Sequence, residues 1–284
     1  MTRVLIAGCG YVGSALGERL VMDSQDVWGV RRKAGPLPLG VRAFPADLCM
    51  PGSLQDLPGD LDYVFYMAAP AGSADPLYRA AYVDGLRTLL AVLDQQKQAP
   101  QRVFFVSSTA VYAQRDGDWV DETSPTEPTY FSGVRLLEAE KVLFESPFAG
   151  TVVRFGGIYG PRRTRLIDRV RTGAAEYHVD PPRYTNRIHR DDCAGVLQHL
   201  MGVEKLEKLY VGVDCDPADD RGVLAWLSGV LGAPAPRAAG DSEPTSSRGS
   251  SNKRCSNARL LGTGYSFRYP TFREGYAAVL EDLV

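Results

Sequence analysis

The chain is poor in the residues that build metal centres and covalent frameworks. It has three histidines in 284 residues, and His178 and His199 carry no spacing that suggests a metal. The five cysteines (Cys9, Cys49, Cys193, Cys215, Cys255) are scattered, odd in number and never in C-x-x-C spacing. That pattern argues against both a disulfide framework and a zinc site, so no metal is expected. No apolar run approaches membrane-spanning length, and no charged-then-apolar leader precedes Val4. The expectation is a reduced, cytoplasmic protein with no membrane partner. A net charge of −2 gives no reason to expect nucleic acid. No internal repeat is visible. Hydrophobic content of 44% and charged content of 23% are ordinary for a globular protein that can bury one large core, or a core and a smaller lobe.

What is present begins at Arg3–Gly13, RVLIAGCGYVG. An aliphatic run, Val4–Ile6, enters a loop with glycines at Gly8, Gly10 and Gly13, and the residues from Ser14 to Met22 have the apolar spacing of a helix. Strand, glycine turn and helix are the parts of a dinucleotide site. The first glycine permits a tight turn, the second lets the backbone approach a pyrophosphate, and the third lets helix and strand pack closely. The helix N-terminus, at Tyr11, Val12 and Gly13, offers N–H groups and partial positive charge. Cys9 inside this loop reads as a small filler beside the cofactor.

A second strand is expected over Asp26–Val30. At its end an acid would grip the ribose 2′-hydroxyl of NAD. Arg31 and Arg32 stand there instead, followed by Lys33. Guanidinium groups bind a 2′-phosphate in charge-assisted contacts, which favours NADP(H), with NAD as the alternative. A solvated basic turn is the plain reading of the same residues. Further strands are expected over Val41–Phe44, Asp62–Met67, Arg102–Val106, Gly150–Phe155 and Leu209–Val213, with helical spacing between them and over Arg221–Leu231. This alternation predicts an α/β fold with a doubly wound parallel sheet and ligands beyond the strands' carboxyl ends.

Several stretches together resemble the extended short-chain dehydrogenase/reductases of the NAD-dependent epimerase/dehydratase family. They are Gly8–Gly13, Asp47-Leu48, Met67-Ala68-Ala69, Ser107–Tyr112, Arg154–Pro161, Ile188–Asp192, and Leu261–Tyr265 with Pro270 and Glu274-Gly275. The resemblance implies a Rossmann-type domain over residues 1–155, with 188–213 returning to it. A smaller substrate lobe would take 156–187 and 214–284. It also implies that Asp47 and Leu48 flank the adenine and that Ala68, Ala69 and Ser107 line the cofactor. Phe155, Gly156 and Ile158 would lie near the nicotinamide, and Ser108 matches the family's catalytic hydroxyl. A hydroxyl that merely satisfies backbone at a strand end is the plain alternative for Ser108.

The family's acid/base pair, Tyr-x-x-x-Lys, is not found in the matching stretch. Tyr130 is followed four residues on by Val134, and Ser132 by Leu136; Arg135 lies at spacings of five and three. The resemblance is therefore to an atypical branch that lacks the dyad. From Arg154 to Arg190 there are nine arginines against Asp168, Glu176 and Asp180. Arg162 and Arg187 are candidates for an anionic small-molecule substrate, although a solvated helix face explains several of the others. His189 precedes a helix that Asp191 or Asp192 could cap. Residues 233–257, rich in Pro, Ala, Ser and Gly, are expected to bury little surface and to form a mobile loop, either a lid or a linker. A homodimer is compatible with all of this. The two functions left open are an NADP(H)-dependent oxidoreductase or epimerase-like enzyme, and a cofactor-binding sensor or scaffold without chemistry.

Overall fold

The β-branched and aromatic runs form strands, and the stretches of helical periodicity between them form helices, in a computed structural model that describes residues 1–32, 35–239 and 251–283. In chain order the strands are β1 (Arg3–Ala7), β2 (Asp26–Arg31), β3 (Arg42–Pro45), β4 (Tyr63–Tyr66), β5 (Arg102–Ser108), β6 (Asp118–Val120), β7 (Gly150–Phe155), β8 (Gly157–Tyr159), β9 (Glu176–Tyr177), β10 (Arg187–His189), β11 (Leu209–Gly212), β12 (Arg237–Ala238) and β13 (Lys253–Cys255). The helices are α1 (Tyr11–Met22), α2 (Asp75–Tyr78), α3 (Gly85–Gln95), α4 (Phe131–Phe144), α5 (Arg165–Arg171), α6 (Arg190–Met201), α7 (Asp220–Leu231), α8 (Ala258–Leu261) and α9 (Phe272–Glu281). A π-helical turn, Arg79–Asp84, joins α2 to α3.

Seven strands form one sheet in the order β11-β7-β5-β4-β1-β2-β3, the doubly wound arrangement expected. Its middle strands are buried on both faces: Val4, Leu5 and Ile6 of β1 and Val64, Phe65 and Tyr66 of β4 have no exposed surface. That is why these strands are continuously apolar instead of alternating. At the outer edge β3 (Arg-Ala-Phe-Pro) is largely exposed, with only Phe44 half-buried. Helix α1 lies close against this sheet because Gly17 has no side chain; a Cβ there would stand 2.9 Å from Val41.

The chain divides into two compact units. The first comprises Met1–Val111, Pro128–Arg154 and Cys193–Tyr210; the second comprises Tyr112–Glu127, Phe155–Asp192 and the chain from Val211 onward. The second unit is built on three two-stranded ladders, β10–β8, β12–β9 and β13–β6. Its core gathers Tyr159, Ile167, Val170, Leu227, Phe272 and Tyr276. The Asp219 carboxylate caps α7 by accepting from Gly222 N–H at 2.8 Å, and Gly232 closes that helix at φ 58°. Thr271 and Glu274 form a capping box at the start of α9.

Two local expectations are corrected. Residues 240–250 lie outside the described residues, but the last part of the supposed loop is neither bare nor peripheral. It forms β13, and Asn252, Lys253, Cys255 and Asn257 are all buried. Its side chains find hydrogen-bond partners far away in the sequence, which local composition does not reveal. Likewise neither Asp191 nor Asp192 caps α6. Asp192 accepts from Tyr265 O–H, Arg268 N–H and Tyr269 N–H at 2.8, 2.8 and 2.9 Å. The cap is His189, whose Nδ1 accepts from Asp191 N–H at 3.2 Å.

Candidate functional site

The glycine loop follows β1 directly. Gly8 sits at φ +99°, where only glycine is comfortable, and a Cβ there would lie 2.5 Å from Ala68 N. The loop and the end of β4 are thus in contact, which brings Gly8 and Ala68 together. A Cβ on Gly13 would meet Gly8 O at 2.8 Å, so the third glycine lets α1 start close to the strand. Gly10, by contrast, faces open space, its nearest neighbour being Gly8 O at 3.9 Å. As the N-cap of α1 it has no side chain to satisfy the first-turn N–H groups, and no acid stands in that turn. An open backbone, a bare helix N-terminus and no competing carboxylate fit a dinucleotide pyrophosphate.

At the end of β2 the Arg31 guanidinium folds back over this loop. Its Nε donates to Cys9 O, its Nη2 donates to Ser14 Oγ at 3.1 Å and its Nη1 to Pro36 O at 3.1 Å. Arg31 is thereby fixed beside the loop and the first turn of α1. No Asp or Glu occurs between Val27 and Ala46, so nothing there would repel a 2′-phosphate. Arg32 is exposed and acts electrostatically on Cys49, the residue after Asp47-Leu48. Lys33 lies outside the described residues. Asp47 makes a turn, its Oδ1 accepting from Cys49 N–H at 2.9 Å, and Leu48 is buried. Burial pushes the Cys9 thiol up, which suits a filler and not a nucleophile.

Ser107 and Ser108, adjacent in β5, face different neighbours. Ser107 donates to Glu140 Oε1 at 2.6 Å, and Arg154 binds the same carboxylate through Nε and Nη2 at 3.0 and 2.6 Å. All three are buried, so the Ser107 hydroxyl is committed to the interior. Ser108 is half-buried; its Oγ accepts from Ala110 N–H at 3.2 Å, leaving its own proton to donate. Helix α4 begins against this segment. A Cβ on Gly133 would stand 2.7 Å from Ala110 O and 2.5 Å from Pro128, so only glycine permits the approach. Arg135, the nearest cation on α4, grips Asp75 through Nε and Nη2 at 2.8 and 2.9 Å and Glu138 through Nη1 at 2.8 Å. Tyr130 is 39% exposed, its ring against Phe131.

In the second unit Phe155 is buried and Ile158 half-buried, and Gly156 packs on Asn186, whose carbonyl would lie 2.9 Å from an added Cβ. Arg162 is exposed and held at φ +66°, a conformation that costs a non-glycine residue about 1–3 kcal/mol. Arg187 is half-buried and interacts with Tyr276 and with Asp214. Sequence reasoning did not single out Asp214, took Tyr159 only as part of the Arg154–Pro161 stretch, and weighed His189 only as the residue before a helix. Each is buried, and Asp214 Oδ2, Tyr159 Oη and His189 Nε2 have no hydrogen-bond partner among the described residues. Burial pushes Asp214 up to about 8 and His189 down. Among the described residues no group of three or more His, Cys, Asp or Glu could hold a metal ion, and no helix is long and apolar enough to cross a membrane.

The sequence model of the NAD-dependent epimerase/dehydratase family matches residues 4–188, from the first strand to the residue before His189. The chain belongs to that family. It is 38% identical to a chain from Methylobacillus flagellatus assigned to the NAD-dependent epimerase/dehydratases, with a TM-score of 0.82 over 99% of this chain and 98% of that one. It is 27% identical over 304 residues to a 3-diazoavenalumate denitrifying reductase of a Streptomyces, covering 96% of this chain and 98% of the reductase. A human epimerase family protein, solved with NADPH, shares the fold at 20% identity and a TM-score of 0.80, over 99% of this chain and all of that one, 100%.

Proposed function

We propose that this protein is an NADP(H)-dependent oxidoreductase or epimerase-like enzyme acting on a small, polar, anionic substrate, phosphorylated or nucleotide-linked. The observation that carries the cofactor choice is Arg31, fastened over the glycine loop at the end of a strand, with no Asp or Glu among residues 28–45. Gly8, Gly10, Tyr11, Val12 and Gly13 would hold the pyrophosphate. Asp47, Leu48 and Arg32 would border the adenosine, and Ala68, Ala69, the Ser107 backbone, Phe155, Gly156 and Ile158 the remainder. A bound nicotinamide supplies or accepts the hydride. Ser108, with its hydroxyl proton not used by the Ala110 turn, donates a hydrogen bond to the reacting oxygen. Arg162 and Arg187 provide positive charge for the substrate.

A second reading, a cofactor-binding sensor without chemistry, is favoured by one observation. Arg135 is held by the carboxylates of Asp75 and Glu138, so it does not stand in for the lysine of the family's Tyr-x-x-x-Lys pair. A turnover screen of keto compounds and nucleotide sugars with NADPH separates the two readings. The enzyme reading predicts turnover of at least one compound and a loss of roughly ten- to a hundredfold in kcat for Ser108→Ala, the scale of one transition-state hydrogen bond. NADPH binding with no turnover of any compound supports the sensor.

A further inference from the structure

Inside the second unit lies a cation that no carboxylate among the described residues pairs with. Lys253 on β13 is 5% exposed, and its Nζ donates to the carbonyl of Tyr112 at 3.0 Å. The groups that act on it electrostatically are Cys255 on its own strand and Arg183, which carries the same sign. An ammonium has three N–H donors, and one carbonyl uses one of them. Removing such a charge from water is costly, and a single carbonyl dipole recovers only part of that cost. Gln114, whose carbonyl accepts from Asn252 N–H at 2.9 Å, has a buried Oε1 with no hydrogen-bond partner among the described residues.

The strand does not need this charge to stay in place. The Asn252 side chain accepts from Tyr184 N–H at 2.8 Å and donates to Pro182 O at 3.0 Å. Asn186 donates to Lys253 O at 2.9 Å and accepts from Cys255 N–H at 2.6 Å. Arg254 donates to Gly117 O at 2.7 Å and lies over the rings of Trp119 and Tyr184. With so many anchors that do not use the Lys253 amine, a methionine at 253 would secure the strand without burying an ion. The position of the amine is informative. Asn186, which holds the Lys253 carbonyl, also accepts from Gly157 N–H at 2.8 Å through its own carbonyl.

We propose that the Lys253 ammonium binds an oxyanion of the substrate, a carboxylate or a phosphate, and is the cationic anchor of the substrate side. This rests on the reading that the substrate is anionic. The test is calorimetric titration of the NADPH-loaded protein with inorganic phosphate, pyrophosphate and malonate, on wild type, Lys253→Met, Lys253→Arg and Arg162→Ala. The expected result is binding of at least one probe by wild type and a loss of roughly ten- to a hundredfold in Lys253→Met. Lys253→Arg should keep most of the affinity, and NADPH affinity should be unchanged throughout. Preference for phosphate and pyrophosphate over malonate, or the reverse, identifies the kind of oxyanion. Equal probe affinity in wild type and Lys253→Met, with a loss in Arg162→Ala, overturns this inference and leaves the anionic-substrate reading standing. No binding of any probe by wild type overturns both. Should Lys253→Met fail to fold, Lys253→Gln takes its place, since it keeps a donor for Tyr112 O and lacks the charge.

Discussion

Replacing Asp214 by asparagine should flatten the dependence of stability on pH. Asp214 is 1% exposed; its Oδ1 accepts from Asp216 N–H at 3.2 Å, and its Oδ2 has no partner among the described residues. Burial is the main cause of a pKa raised from 3.8 to about 8, with Arg187 opposing it. The folded protein therefore keeps a proton that the unfolded chain releases near the ordinary carboxylate range. Stability is fully present below that range and falls as pH rises, by about 1.4 kcal/mol per pH unit, until the folded group itself ionises near 8. Between about pH 5 and about pH 8 the loss from this one group is about 3 to 4 kcal/mol. Asparagine keeps the acceptor for Asp216 N–H and has no proton to release. Urea unfolding followed by circular dichroism, at several pH values on both proteins, measures the difference directly. Wild type should lose about 3 to 4 kcal/mol more than Asp214→Asn over that range. Parallel profiles with a constant offset would refute the reasoning, because they would mean that Asp214 is ionised in the folded protein at neutral pH.

Two other substitutions probe the first unit. Glu140→Ala removes the carboxylate that Ser107 and Arg154 share and leaves a buried guanidinium without its partner. It should cost about 3–5 kcal/mol in urea unfolding, and a loss under 1 kcal/mol would count against the buried network. Tyr130→Phe should leave most of any turnover intact, since no lysine follows at four residues and Arg135 is held by Asp75 and Glu138. A thousandfold loss in kcat at unchanged cofactor affinity would show that Tyr130 is the acid after all.

The nucleotide half of the molecule was legible because its signals are local. Three glycines sit in one loop between a strand and a helix: Gly8 takes a positive φ against Ala68, Gly13 lets helix and strand pack closely, and Gly10 faces open space. The sheet was legible for the same reason, its strands being apolar on both faces and separated by helical spacing. The second unit was less legible because its order comes from contacts distant in sequence. Asn252 and Lys253 read as part of a polar loop, yet their partners are Tyr184, Pro182 and Tyr112, about 70 to 140 positions away. Asp192 has the look of a helix cap, but Tyr265, Arg268 and Tyr269 compete for it successfully. Asp214 gives no local sign that its Oδ2 lacks a partner among the described residues, since that follows from burial.

The central claim is that the site is built for a 2′-phosphate, and titration calorimetry of the protein with NADPH and with NADH tests it most directly. With Arg31 fixed over the glycine loop, NADPH should bind tighter by roughly tenfold to a hundredfold, the worth of one or two charge-assisted contacts, and Arg31→Asp should narrow or reverse the gap. Equal affinities, or a preference for NADH in the wild-type protein, would contradict the account.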